Sequence, residues 1–271
     1  MPYSEISVSF ADAVALITLD RPDKLNAWTP TMQVELKQAL LAAGGDSEVR
    51  VIVVTGADRA FCAGMDLDLL LEAHRSGRLN RDFLPEIAHD ESAGADFRQP
   101  LSYVAAIPKP VIAAINGPIA GVALCFSLYC DIRFIADGAK LTTAFSSRGL
   151  VAEFGAAWML PRLIGPMNAL EWLFSSRTIE AAEAERLGLG VRLGADGFLD
   201  QVLAYAATMA RTVSPRSLAV IKRQVWQGLG QSLAQASVLA DREALASLES
   251  EDVREGIAHF LEKRPPRFTG R

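Results

Sequence analysis

The sequence is poor in the residues that build disulfide frameworks and metal centres. It holds three cysteines, Cys62, Cys125 and Cys130, and three histidines, His74, His89 and His259, in 271 residues. Without a CxxC pair, the cysteines suit a reducing compartment rather than a cross-linked scaffold. Nothing in the spacing ties the histidines to one another or to a serine, and no GxSxG occurs. A zinc site and a serine-hydrolase elbow are therefore both excluded. Positive charge is also short, with 27 Lys and Arg against 32 Asp and Glu and a formal charge of −5. No basic cluster interleaved with aromatics appears, which excludes nucleic acid as a main partner. The longest apolar stretch, around residues 118–128, is too short and too rich in glycine to cross a membrane. The first ten residues, MPYSEISVSF, lack the basic and apolar regions of a signal peptide. The expectation is a soluble cytoplasmic protein.

What is present is apolar material for a large core, half of all residues. The first two-thirds alternates short β-rich runs with helical periods. VALITL, Val14–Leu19, reads as a strand stopped by the breaker Asp20-Arg21-Pro22-Asp23. Thr29 follows as an N-cap with Pro30 at the first helical position and helical spacing to Leu41. VIVVT at 51–55 is uniformly apolar and β-branched, as in a strand covered on both faces. VIAAI, Val111–Ile115, repeats that character, and Ile132–Ala136 does so more weakly. Strands separated by helices predict parallel pairing with right-handed crossovers. Beyond residue 197 the strands cease, and four helical periods follow at 198–213, 217–228, 233–247 and 251–263. This run reads as a layer that packs on something other than the sheet. Residues 71–100 are polar and weakly periodic, and predict an adjustable loop with short helices that shapes a pocket.

Two strand-to-helix turns stand out. The first leads from strand 51–55 through Gly56 into AFCAGMDL at 60–67. The second leads from Val111–Ile115 into NGPIAGVALCFSLYCDI at 116–132. In each, small residues sit where a helix begins directly after a buried strand. A helix N-terminus leaves N–H groups unpaired and carries partial positive charge, so it suits an anionic oxygen. Two such ends converging on one point would form an oxyanion hole. Taken singly, either set of glycines is better explained by turn geometry and close packing.

Together with RPDKLNAW at 21–28, KPVIAAINGPIAGVALCFSLYCDI from Lys109, GLVAEFGAAWMLPRLIG at 149–165 and FLEKRPPRF at 260–268, the turns make a recognisable series. In order and spacing, over essentially the whole chain, it resembles the crotonase, or enoyl-CoA hydratase/isomerase, superfamily. The resemblance implies an α/β fold, a spiral of ββα units with a C-terminal helical trimerisation region. It divides the chain into a core at 1–197 that binds the CoA thioester and a helical region at 198–271 that mediates oligomerisation and completes the active site. It also implies an acyl-CoA substrate with no separate cofactor, no metal, and a homotrimer or a hexamer made of two trimers. By position, the oxyanion donors are the backbone N–H groups of Ala63 and Val122. Val122 stands in a Gly121-Val122-Ala123 run where the family has three glycines, so helical dihedrals are expected there, because a positive φ is costly for valine. Lys24, Leu25, Ala27, Ala63, Asp66 and Leu67 are expected to flank the adenine and pantetheine, and Phe260 and Lys263 the nucleotide.

A proton carrier is still needed. The positions matching the two glutamates of family hydratases are Cys125 and Phe145, which cannot replace them. Glu153, in GLVAEFGAAW, remains, at a place where family isomerases carry an acidic residue. Flanked by Ala152, Phe154 and Gly155, its carboxyl should be partly desolvated and raised in pKa. The plainer account is a helix-capping acid for the segment that begins near Gly155. Cys125 reads as core rather than as a nucleophile, since no histidine is near it in sequence. The residues thus predict a double-bond isomerase with Glu153 as single acid/base. A one-carboxylate hydratase, a CoA-thioester hydrolase and a non-catalytic acyl-CoA binder are the alternatives.

Overall fold

The computed structural model describes residues 3–77 and 94–271. Six strands form the main sheet in the order β1 (Ile6–Ala11), β2 (Val14–Leu19), β3 (Val51–Gly56), β4 (Val111–Ile115), β6 (Ile132–Ala136) and β9 (Val191–Leu193). β1 runs antiparallel to β2, and every other neighbouring pair is parallel, as the helical crossovers require. A smaller sheet of β5 (Ile119–Ala120), β7 (Lys140–Thr142) and β8 (Ile179–Glu180) stacks beside it. Single bridges from Trp28 to Met65 and from Cys62 to Ile119 extend that second stack. The result is the expected α/β spiral of ββα units with a helix-rich C-terminal part.

The period-two alternation of each strand divides the core. Ile17, Ile52, Val54, Ala113 and Ile115 face one side, where they meet Met32, Leu36 and Leu40 of α1 (Pro30–Gly45). Val14, Val51, Val53, Ile112 and Ala114 face the other, where they meet Phe198, Val202, Ala206 and Ala210 of α8 (Phe198–Thr212). All six residues of β3 are buried, as its unbroken apolar run predicts. The four α8 residues recur every fourth position and form one stripe. Burying its Phe and Val alone is worth about 1.5–3 kcal/mol each. This corrects the expectation that the helical run packs away from the sheet: its first helix is the sheet's second cover.

The remaining C-terminal helices are α9 (Pro215–Gly228), α10 (Leu233–Leu248) and α11 (Glu251–Glu262). α9 is pinned to the core by Lys222, whose buried ammonium donates to Val104 O and Lys109 O at 3.0 Å and pairs with Asp131 at 2.7 Å. Trp226 Nε1 donates to the other oxygen of Asp131. No helix among the described residues is long and apolar enough to cross a membrane. Of the stretch at 71–100, residues 71–75 close α2 (Leu67–Arg75) and Ala95–Phe97 form a short 3-10 turn. Residues 78–93, His89 among them, lie outside the described residues.

Candidate active site

The two predicted turns are stitched to each other by main-chain hydrogen bonds. Phe61 N–H and Cys62 N–H both donate to Pro118 O, and Ala120 N–H returns the bond to Cys62 O. The loop before α1 joins them: Asn26 Nδ2 donates to Ala57 O and Ala60 O, and Trp28 N–H donates to Gly64 O. Residues far apart in sequence are therefore fixed side by side at one end of the sheet.

The second turn opens α4 (Gly121–Tyr129). Thr29, Asp66, Ser214, Ser232 and Ser250 each place a side-chain oxygen on the first N–H groups of their helices. Ala120, the N-cap of α4, has none to offer. Among the described residues the first N–H groups of α4 thus have no side-chain cap at a buried helix end, which is where the macrodipole favours negative charge. Gly121 takes φ +53, which a glycine adopts without the Cβ penalty, and this bends the chain directly from strand into helix. Val122 is buried and does not share the left-handed conformation, in agreement with the helical dihedrals expected of a β-branched residue.

The first turn departs from expectation. The N–H of Ala63 is occupied: it donates to Leu25 O at 3.0 Å. Asp66 N–H likewise turns to Trp28 O. Between them, neither Gly64 N–H nor Met65 N–H has a partner among the described residues. Met65 is bridged to Trp28 through its two neighbours, so its own N–H and C=O face away from Trp28, toward the β5 side. Of these two open donors, Met65 N–H is the one whose direction the bridge fixes, on the side away from Trp28 and two residues beyond the donor expected.

Glu153 sits in the loop before α5 (Ala156–Ile164) and is partly buried. Among the described residues its carboxylate has no hydrogen bond and no ion pair, and α5 has no side-chain cap, so the plainer helix-capping account fails. Burial raises its pKa above the ordinary glutamate value. It lies beside α4: Cys125 Sγ meets Glu153 O at 3.7 Å, and the Glu153 charge is close enough to push the Cys125 thiol up further. Cys125 is three residues, under one helical turn, beyond Val122. Glu153 is thus tied, through Cys125, to the helix whose first turn holds Val122.

The other expected residues divide. Burial first, then the Glu153 charge, holds the Cys125 thiol up at about 12, so it stays neutral and does not act as a nucleophile. Phe145 is buried. Lys24, Leu25 and Ala27 belong to the loop before α1, which is bonded to the first turn that carries Ala63, Asp66 and Leu67. Lys24 pairs with Asp68 at 2.9 Å, while Asp66 caps α2 and is held by Arg21 at 3.0 Å. Phe260 and Lys263 lie on and just after α11; Phe260 is exposed, and no described hydrogen bond or ion pair ties either to the first turn. His74 is an exposed residue of the last turn of α2, and His259 packs edge-on to Phe268. Among the described residues no group of three His, Cys, Asp or Glu is placed to hold a metal ion.

The fold is thus a parallel α/β spiral, with a helix that lacks a side-chain cap at the start of α4 and a raised carboxyl, Glu153, in the loop packed against that helix. The family follows from comparison: the sequence model described as Enoyl-CoA hydratase/isomerase matches residues 9–271, and the chain belongs to that family. It is 36% identical to a probable enoyl-CoA hydratase of Rhodobacter capsulatus, over 100% of both chains. It is 33% identical to the 1,2-epoxyphenylacetyl-CoA isomerase of Escherichia coli, over 95% of each. Among solved structures, a putative enoyl-CoA hydratase/isomerase from Mycobacterium abscessus superposes with a TM-score of 0.88 at 31% identity, covering 98% of this chain and 100% of that one. An enoyl-CoA hydratase from Bacillus anthracis gives 0.87 at 29% identity, covering 99% and 100%.

Proposed function

We propose that this enzyme moves a carbon–carbon double bond in an acyl-CoA thioester, with Glu153 as its only acid/base and the N–H groups of Met65 and Val122 as its oxyanion hole. The carboxylate takes a proton from the α carbon of a β,γ-enoyl thioester. The electron pair of that C–H bond flows toward the carbonyl, whose oxygen becomes anionic and accepts both N–H donors. The same carboxyl then returns its proton to the γ carbon, giving the α,β-enoyl thioester. Removing one donor at comparable sites costs about 3–4 kcal/mol of barrier. One carboxyl suffices because the proton removed and the proton returned pass through the same group.

The observation that carries this reading is the Glu153 carboxylate, desolvated and without a partner, beside the helix that opens at Val122. The positions matching a hydratase's water-holding pair are a buried neutral thiol and a buried phenyl ring. Lys24, Leu25, Ala27, Asp66 and Leu67 flank the CoA part, with Phe260 and Lys263 of a neighbouring subunit in a homotrimer. CoA enters only as part of the substrate, no separate cofactor takes part, and the enzyme works in the cytoplasm.

The test is incubation with a panel of enoyl-CoA esters, read by mass and NMR. Equal mass with a moved double bond is expected. A gain of water would establish hydration, free CoA thiol would establish hydrolysis, and tight binding without turnover across the panel would establish a non-catalytic binder.

A further inference from the structure

One face of α4 grips the loop that carries Glu153. Cys125 and Tyr129, four residues apart, project to the same side of the helix. Cys125 Sγ meets Glu153 O at 3.7 Å, and Tyr129 Oη donates to Phe154 O at 3.0 Å. Successive carbonyls of the loop are thus held by successive turns of the helix that presents Val122.

The loop needs such a hold. Phe154 takes φ +49 and Gly155 φ +76, two left-handed residues in a row, the first of them bulky. Such a conformation persists only where its surroundings over-determine it. The fit at the second is close enough that a Cβ on Gly155 would stand 2.1 Å from Tyr129 Oη. Tyr129 is itself fixed from behind, because its ring stacks on Trp226 of α9 with centroids 6.3 Å apart, and Trp226 is anchored on Asp131.

We infer that Tyr129 is a positioning residue for the reaction: its hydroxyl, holding Phe154 O, sets the left-handed turn that aims Glu153 at the open end of α4. The inference rests on the reading of Glu153 as acid/base. It also explains why a tyrosine occupies the last turn of a helix whose other residues are mostly apolar.

The test uses the full-length protein and four enzymes: wild type, Y129F, E153Q and the double variant, each assayed for kcat and KM on the isomerised enoyl-CoA. A displacement of the carboxyl by a fraction of an ångström to 1 Å predicts a kcat loss of about 10–100-fold in Y129F, with KM changed less than about 2-fold. In the E153Q background the same change should alter the residual rate by less than about 2-fold, since the group it positions is gone. Gly155→Ala, which crowds the hydroxyl from the loop side, should reproduce the kcat loss and carries the test should Y129F fail to fold. Wild-type kcat in a folded Y129F overturns the inference, as does an equal loss in both backgrounds or a loss confined to KM. Should E153Q itself turn over normally, it is the acid/base reading that fails, and that result is separate from these.

Discussion

Replacing Glu153 with glutamine should push activity and stability in opposite directions, and both magnitudes follow from its surroundings. Loss of a positioned general base costs roughly 10²–10⁴-fold in kcat, about 3–5.5 kcal/mol of barrier. Stability moves the other way because burial raises the Glu153 pKa in the fold. The folded state holds the proton more tightly than the unfolded chain, so at neutral pH the ionised carboxylate costs the fold free energy. That cost is full above the folded pKa, fades as pH falls through it, and is gone below the ordinary glutamate range. The group is partly exposed, so water screens the cost and keeps it small. Glutamine keeps the shape, drops the charge and breaks no hydrogen bond among the described residues. The variant should therefore melt somewhat higher than wild type at pH 7. At pH 4 the difference should disappear. Thermal unfolding at the two pH values and initial rates of double-bond migration measure both effects. A variant destabilised by more than about 1 kcal/mol at pH 7 would refute the unpartnered carboxylate. One that keeps its kcat would refute the base.

Three further outcomes are expected. Val122→Pro deletes one N–H in the first turn of α4, where proline is sterically tolerated, and should lower kcat about 100–1000-fold while the helix survives by circular dichroism. Lys222→Met removes the ammonium that pairs with Asp131 and bonds Val104 O and Lys109 O, leaving a part-buried carboxylate without its cation; urea unfolding should show a loss of about 3–5 kcal/mol. The exposed Leu245, Leu248, Ile257, Phe260 and Leu261 of α10 and α11 should be covered in a homotrimer, so light scattering should give three times the 29.2 kDa chain, and Phe260→Asp should shift the protein toward smaller species.

The long strands were legible because their chemistry is local. Val14–Leu19, 51–55 and Val111–Ile115 are apolar runs bounded by breakers, and each is a strand at nearly the expected limits. The smaller sheet was not legible, since strands of two or three residues such as β5 and β8 are too short to show a period. Nor could helical spacing reveal what α8 packs against: its stripe of Phe198, Val202, Ala206 and Ala210 fits any apolar partner. That the partner is the sheet depends on strand order, a property of the whole chain. The raised pKa of Glu153 was legible through its apolar neighbours, whereas the contact of Tyr129 was not, because nothing in FSLYCDI tells a packed ring from one whose hydroxyl reaches a distant carbonyl.

The occupied N–H of Ala63 shows where sequence reading stops and geometry takes over. AFCAGMDL marks a turn whose main chain meets two neighbours, the loop at 25–28 on one side and the β5 segment on the other. Each N–H in it must face one or the other, and composition carries no trace of which. Ala63 and Asp66 face the loop and are consumed by Leu25 O and Trp28 O, bonds that hold the turn in place. Gly64, at φ +93 between Ala63 and Met65, lets the chain reverse the side it presents. Met65 N–H is thereby left on the side of α4, whose own cap has been omitted. The two open donors thus arise by different means, one from a bridge that turns its residue outward and one from a helix without a capping side chain. Restoring a cap is then predicted to compete with substrate: Ala120→Ser would offer the first N–H groups of α4 an internal oxygen, steadying the helix by about 1 kcal/mol while weakening the oxyanion site. A variant with higher melting temperature and lower kcat is the expected result, and unchanged kcat with a formed cap would show that α4 does not hold the oxyanion.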